Sequence, residues 1–183
     1  MGPVITISGL HGTGKSTYAK AISEEFNLRH MSAGELFRQM ASERGVSVEE
    51  LSRIAERNKD IDHLIDEKTK AEASKGNVIL DGLLVGWMAS DYADLKIYLK
   101  CPDEVRLRRI AERDGITCEK AWKTTTFRED AEKKRFKRLY NIEMDDLSTY
   151  DLIINTGLMS IKSNIEVMRK FVQGYISSQG GKK

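Results

Sequence analysis

Apolar residues along this chain change their spacing several times, and each change marks an element. Val4-Ile5-Thr6-Ile7 is a β-branched run, the pattern of a buried strand. From Lys15 to Glu25 the spacing turns helical, with Tyr18, Ala19 and Ile22 leading to Phe26. Leu28 to Met31 predicts a second strand. Ser32 with Glu35, and Ser47 with Glu50, have the spacing of capping boxes. They open helices that end at Gly45 and near Asn58. A strongly charged helix is predicted over Asp60–Ser74, closed by Gly76. Asn77–Gly82 is apolar on both faces, as an interior parallel strand should be, and Asp94–Lys100 is another strand, stopped by Pro102. Helices follow over Asp103–Arg113 and Thr117–Tyr140, with Gly115 between them. Tyr150–Asn155 is the last strand and Ile161–Ile176 the closing helix, while 177–183 reads as a flexible tail.

Strands that alternate with helices predict an α/β fold: a three-layer sandwich around a central five-stranded parallel sheet with right-handed crossovers. Two helical insertions, about 32–75 and the Arg106–Arg138 region, should overhang the carboxyl edge of the sheet. At 183 residues a single domain is expected, and 40% hydrophobic with 32% charged residues excludes a disordered chain. The net charge of +2 gives no general affinity for nucleic acid. Cys101 and Cys118 are too few for a zinc site or disulfide framework. Without a long apolar run, no membrane partner is expected, and the default location is the reducing cytoplasm.

Between the first strand and first helix lies Ser8-Gly9-Leu10-His11-Gly12-Thr13-Gly14-Lys15-Ser16-Thr17. It fits G-x-x-x-x-G-K-[ST] in the strand–loop–helix context that this phosphate-binding loop requires. Glycines let backbone N–H groups turn onto phosphate oxygens, and the helix start adds free amides. Lys15 can reach the outer phosphates, and the Ser16 hydroxyl can ligate Mg²⁺. Asp81, at the end of a buried strand on the same edge, has the chemistry of a second Mg²⁺ partner, and that role is favoured over a turn-forming Asp before Gly82. Arg38 can fork onto a second phosphate. Facing it are Arg106, Arg108, Arg109, Arg113, Arg128, Arg135 and Arg138, with Glu104, Glu112, Glu129, Asp130 and Glu132 available to pair. Two to four of these arginines are expected to screen transferring phosphates, the rest to be structural. His11 is expected only to shape its loop. Trp87 reads as packing that can also line an acceptor pocket.

At these residues the chain resembles nucleoside monophosphate kinases, and most closely the archaeal type of cytidylate kinase. The resemblance runs from Val4 to about Thr156 and includes Ser32-Ala33-Gly34-Glu35-Leu36-Phe37-Arg38, Gly86-Trp87-Met88, Thr126-Phe127-Arg128-Glu129 and Tyr150 to Thr156. It implies a P-loop kinase with a helical monophosphate-binding (NMP-binding) insertion and a short LID over about 114–127. Arg38, with Ser32, Gly34, Asp81 and Trp87, would serve the acceptor; Lys15, Arg109, Arg113, Arg128 and Arg135 would clamp the transferring phosphates. The implied reaction moves the γ-phosphoryl group of ATP, with Mg²⁺, to CMP or dCMP in a monomeric enzyme. One departure is visible: Leu83 stands where archaeal cytidylate kinases are expected to carry Arg, and Asp81-Gly82 is closer to the adenylate kinase pattern. Kinases of other small acceptors (AMP, UMP, shikimate) are the alternatives within the class. A GTPase-like switch or regulatory ATP-binding module is the rival outside it, although Asn58-Lys59-Asp60-Ile61 only approaches a guanine-reading motif.

Overall fold

The computed structural model describes residues 2–180. Five parallel strands, β1 (Val4–Gly9), β2 (Arg29–Ser32), β3 (Val78–Asp81), β4 (Leu95–Lys100) and β5 (Leu152–Asn155), form one sheet in the order β2-β3-β1-β4-β5. The helices are α1 (Lys15–Glu25), α2 (Ala33–Glu43), α3 (Val48–Arg57), α4 (Asp60–Ser74), α5 (Val85–Met88), α6 (Asp103–Asp114), α7 (Cys118–Tyr140) and α8 (Ile161–Gly180). Side chains alternate across each strand and divide the core into two layers. Ile5, Ile7, Ile79 and Ile97 face Tyr18 and Ile22 of α1 and Met168 and Val172 of α8. Val4, Val78 and Leu80 face Ala73 of α4 and Val85 of α5. With helices on both faces of the sheet, this is the expected three-layer α/β architecture.

Three local differences from the sequence reading have physical causes. The first strand runs on to Gly9 because β4 continues to pair with it, Gly9 opposite Leu99. The four-residue α5, too short to leave a periodic signal, is held because Ser8 Oγ accepts the Gly86 N–H at 3.2 Å. A Cβ on Gly86 would come within 2.8 Å of the Tyr150 ring, so glycine permits that close approach. Ser177 to Gly180, expected in the tail, continue α8, where Tyr175 and Ile176 pack on the core and Ser178 Oγ donates to the Tyr175 carbonyl at 2.7 Å. Residues 181–183 of that expected tail lie outside the described residues.

The two capping serines act as expected in one direction. Ser32 Oγ accepts the Glu35 N–H at 3.3 Å and Ser47 Oγ accepts the Glu50 N–H at 3.1 Å. Glu35, however, turns to Lys20 at 3.2 Å instead of back to its cap. The central strands have no exposed apolar surface to lose, and Ile97 lies wholly inside. Ile97→Ala should therefore cost about 2–5 kcal/mol, through lost burial and a cavity in the core layer shared with α1 and α8. Urea unfolding should show the midpoint shift with an unchanged slope.

Candidate active site

The loop after β1 takes its shape from glycines at positions other residues resist. Gly12 has φ +78°, and a Cβ there would lie 2.3 Å from the Arg106 carbonyl oxygen; Gly14, at φ +93°, begins α1. Thr13 turns inward, its Oγ1 donating to the Leu10 carbonyl at 2.8 Å. From below, Thr156 Oγ1 donates to the Thr13 carbonyl at 2.9 Å, which ties the loop to the end of β5. Lys15 Nζ donates to the Leu10 carbonyl at 3.0 Å, folded back over its own loop. Desolvation lowers its pKa to about 8, against the pull of Asp81, Glu132 and Glu129. An incoming phosphate would relieve that cost by supplying the missing negative charge.

Asp81, 1% exposed, closes the floor beside the loop. Its Oδ1 accepts from Ser16 Oγ at 2.9 Å and Ser32 Oγ at 3.2 Å, while its Oδ2 meets His30 Nε2 at 2.7 Å. Two elements thus converge on one carboxylate: α1 through Ser16, and β2 through His30 and through Ser32 at its end, where α2 begins. Ser16 and Asp81 are oxygen donors of the kind a hard divalent cation takes, with phosphates and water completing its shell. Among the described residues no cluster of three His, Cys, Asp or Glu side chains is arranged as a self-sufficient metal site.

α7 lays a charged network across the loop. Glu132 accepts from His11 Nε2 and Arg128 Nε, each at 2.8 Å. Glu129 accepts the His11 N–H at 3.1 Å and pairs through both oxygens with Arg106, at 2.7 and 2.9 Å. Burial alone would raise the Glu132 pKa, but His11 and Arg128 outweigh it and hold this carboxyl well below its usual range. His11 moves the same way, from 6.5 to about 4: desolvation dominates, and Arg128 and Lys15 add to it despite Glu132. The neutral ring therefore donates from Nε2, and His11 fastens the loop to α7.

The loop, α2, α4, α6 and α7 enclose a cavity of about 890 Å³. Of the sequence-predicted residues, His11, Gly12, Gly14, Lys15, Ser16, Thr17, Gly34, Arg38, Asp81, Arg109, Arg113, Arg128 and Arg135 line it. Ser8, Gly9, Leu10, Thr13 and Ser32 are not on the wall; they brace it from behind. Trp87 is a correction: it packs edge-to-face on Tyr150, centroids 5.5 Å apart, and stands beside Leu84, Phe136 and Met144 instead of facing the cavity. Arg106 and Arg138 are structural, the first enclosed by Asp103 and Glu129, the second donating to the Glu56 carbonyl at 3.2 Å. Arg109 is held by Thr156, through its carbonyl at 3.0 Å and Oγ1 at 3.3 Å, and Arg113 lies against Asp114.

Sequence reasoning offered Glu132 only as one of several partners for the arginines, gave His30 no role, and missed the face of α4 carrying Asp62, Asp66 and Thr69, all three on the cavity wall. Asp62 pairs with Arg135 Nε at 2.9 Å, and Asp66 accepts from Tyr140 Oη. Burial raises both carboxyl pKa values, opposed by Arg135 at Asp62 and by Tyr140 at Asp66. The signal was there, since positions 62, 66 and 69 have helical spacing, but a charged helix reads first as solvated.

The sequence model of the cytidylate kinase-like family matches residues 4–158. The chain belongs to that family. A cytidylate kinase of Staphylothermus marinus is 48% identical over 173 residues, covering 94% of this chain and 98% of the relative. One of Methanocaldococcus jannaschii is 45% identical over 168 residues, covering 90% and 94%. Among solved structures, the shikimate kinase of Bacteroides thetaiotaomicron aligns with a TM-score of 0.63 at 15% identity, over 93% of this chain and 98% of that one. At that identity it shows the shared fold alone. In this member of the cytidylate kinase-like family, Leu83 takes its place on the apolar part of the cavity wall.

Because the fold favours neutral His11, the unfolded chain binds the extra proton as pH falls from 6.5 towards 4, and native stability is lost across that window. Glu132, depressed in the fold, adds loss in the same direction below its ordinary range. His11→Asn should flatten the dependence of thermal midpoint on pH between 6.5 and 4, measured by melting at half-unit steps. An unchanged slope would remove His11 from this network.

Proposed function

We propose that this chain is an ATP-dependent cytidylate kinase, moving the γ-phosphoryl group of ATP reversibly to CMP or dCMP and giving ADP and CDP or dCDP. The observation that carries the reading is one cavity lined by His11, Gly12 and Gly14 to Thr17 of the phosphate loop, by Arg38 of α2, and by arginines of α6 and α7. Family membership and the cytidylate kinase relatives support the acceptor.

In the reaction the acceptor phosphate is already an anion, so it attacks the γ-phosphorus without a base. The new P–O bond forms as the bond to the ADP oxygen breaks, in line, and the electron pair leaves on ADP. Loop amides and Lys15 orient the donor phosphates, and Arg38 fixes the acceptor. Arg109, Arg113, Arg128 and Arg135 screen the two anions from one another. Ser16 and Asp81 would hold Mg²⁺, which neutralises charge on the donor phosphates when bound. His30 and Ser32 keep the Asp81 carboxylate turned towards Ser16.

In this reading α2 to α4 form the NMP-binding insertion, about 32–75, and the α6–α7 hairpin carries the LID, about 114–127. Closure there excludes water, which would otherwise take the phosphoryl group. Arg128 would exchange Glu132 for phosphate as the site fills. The reading includes a monomer working on soluble nucleotides in the cytoplasm; among the described residues no helix is long and apolar enough to cross a membrane.

The testing experiment is ADP release from ATP alone and with CMP, UMP, AMP or shikimate added singly. Release should depend on CMP; release at one rate whatever is added would instead favour a regulatory ATP-binding module. Lys15→Met should lower kcat/KM by about 100-fold or more, the scale of losing one charge-stabilising donor at a reacting group. Arg128→Ala should lower kcat more than it weakens ATP binding, because its contact would form with the transferring group.

A further inference from the structure

Four arginines of α6 and α7 reach the cavity, and three of them are paired with a carboxylate where they stand. Arg113 lies against Asp114, Arg128 against Glu132 and Arg135 against Asp62. Among the described residues Arg109 has only neutral partners. Its Nη2 donates to the Thr156 carbonyl at 3.0 Å and its Nη1 to Thr156 Oγ1 at 3.3 Å, with Cys101 Sγ 3.6 Å from the same nitrogen. Neutral acceptors fix a guanidinium without cancelling its charge, so its attraction for an anion is kept.

Thr156 holds the phosphate loop with the same hydroxyl. The residue is 0% exposed, and its N–H donates to the Lys100 carbonyl at 2.8 Å, which extends the pairing of β5 with β4 and anchors it to the sheet. A hydroxyl has one proton to give and lone pairs to receive. Thr156 gives its proton to the Thr13 carbonyl at 2.9 Å, nearer than the Lys100 carbonyl at 3.4 Å, and receives Arg109. A loop that takes phosphate on its N–H groups must keep carbonyl oxygens off the anion. This bond takes up the carbonyl two residues before Lys15.

We infer that Thr156 is a positioning residue for the donor nucleotide: its one hydroxyl sets Arg109 against the phosphate loop before ATP arrives. This rests on the kinase reading above for its ligand, and adds to it a residue that is not itself on the cavity wall. The forked shape of arginine matters as much as its charge. Two N–H groups grip two oxygens of one residue, which the point charge of a lysine cannot reproduce. The effect belongs to the donor side. Arg38 is carried by α2, which none of these bonds reaches, so losing the hydroxyl should be felt by ATP and not by the monophosphate.

The test compares the natural protein with Thr156→Val, Thr156→Ser, Arg109→Ala, Arg109→Lys and the Thr156→Val/Arg109→Ala pair. It reads Kd for ATP by calorimetry, kcat/KM for ATP, and KM for CMP at saturating ATP. Thr156→Val should weaken ATP binding and lower kcat/KM for ATP by about tenfold, the scale of a hydrogen bond to a charged group, with KM for CMP within about twofold. Thr156→Ser keeps the hydroxyl and should recover most of that loss. Once Arg109 is replaced by alanine, Thr156→Val should cost no more than about threefold further, because the two act as a unit. Additive losses, equal losses on ATP and CMP, or unchanged ATP parameters in a folded Thr156→Val protein overturn the inference and leave the kinase standing. If Thr156→Val does not fold, Arg109→Lys decides in its place. It keeps the charge and loses the fork, so it should weaken ATP binding by about fivefold or more; binding at the natural strength overturns the inference. If the natural protein binds ATP but phosphorylates no monophosphate, the kinase reading fails, while the ATP dissociation constants still decide this one.

Discussion

The buried carboxylate of Asp81 is the constraint around which the site is assembled. A charge 1% exposed is costly unless every lone pair finds a donor. Here Ser16 of α1 and His30 and Ser32 of β2 supply donors to it. Satisfying that one group fixes the start of α1, and with it the phosphate loop, relative to β2 and α2. The donor side and the acceptor side of the cavity are thereby registered to one another before any nucleotide arrives. This preorganisation is what a phosphoryl transfer needs, since the protein's contribution is positioning and charge.

A second organising network reaches the same loop from α7. Glu132 and Glu129 on α7 take the loop through His11, and Arg106 and Arg128 balance them. In this state Arg128 and Lys15 are both occupied, one by a carboxylate and one by the Leu10 carbonyl. Phosphates would compete for those cations. The exchange of partners provides a physical link between filling the site and the position of α7, with Phe37 beneath the Arg128 guanidinium, 5.2 Å from its carbon to the ring centroid.

Much of this was legible in the residues, because much of it is local. Among the described residues, strand and helix periods located all five strands and seven of the eight helices, and the loop motif fell on the wall of the main cavity. What escaped was non-local. α5 is four residues held by a hydrogen bond from β1 and a gap filled by Tyr150, neither of which leaves a pattern. Trp87 sits near Asp81 in sequence, yet its ring packs on Tyr150 and is not among the residues lining the cavity. The carboxylates of α4 looked like solvated charge until the fold brought Arg135 and Tyr140 to them. Glu132 is similar: in sequence it is one acid among many, and only the crossing of α7 over the loop gives it His11.

The central claim is that one cavity receives two nucleotides with their phosphates end to end. Its most direct test is titration with a ligand joining adenosine and cytidine through five phosphates, beside ATP and CMP separately. The account predicts one ligand per chain, bound at least a hundredfold more tightly than either nucleotide, since the second half binds from within the same molecule. Binding no tighter than ATP alone, or at two ligands per chain, would contradict it.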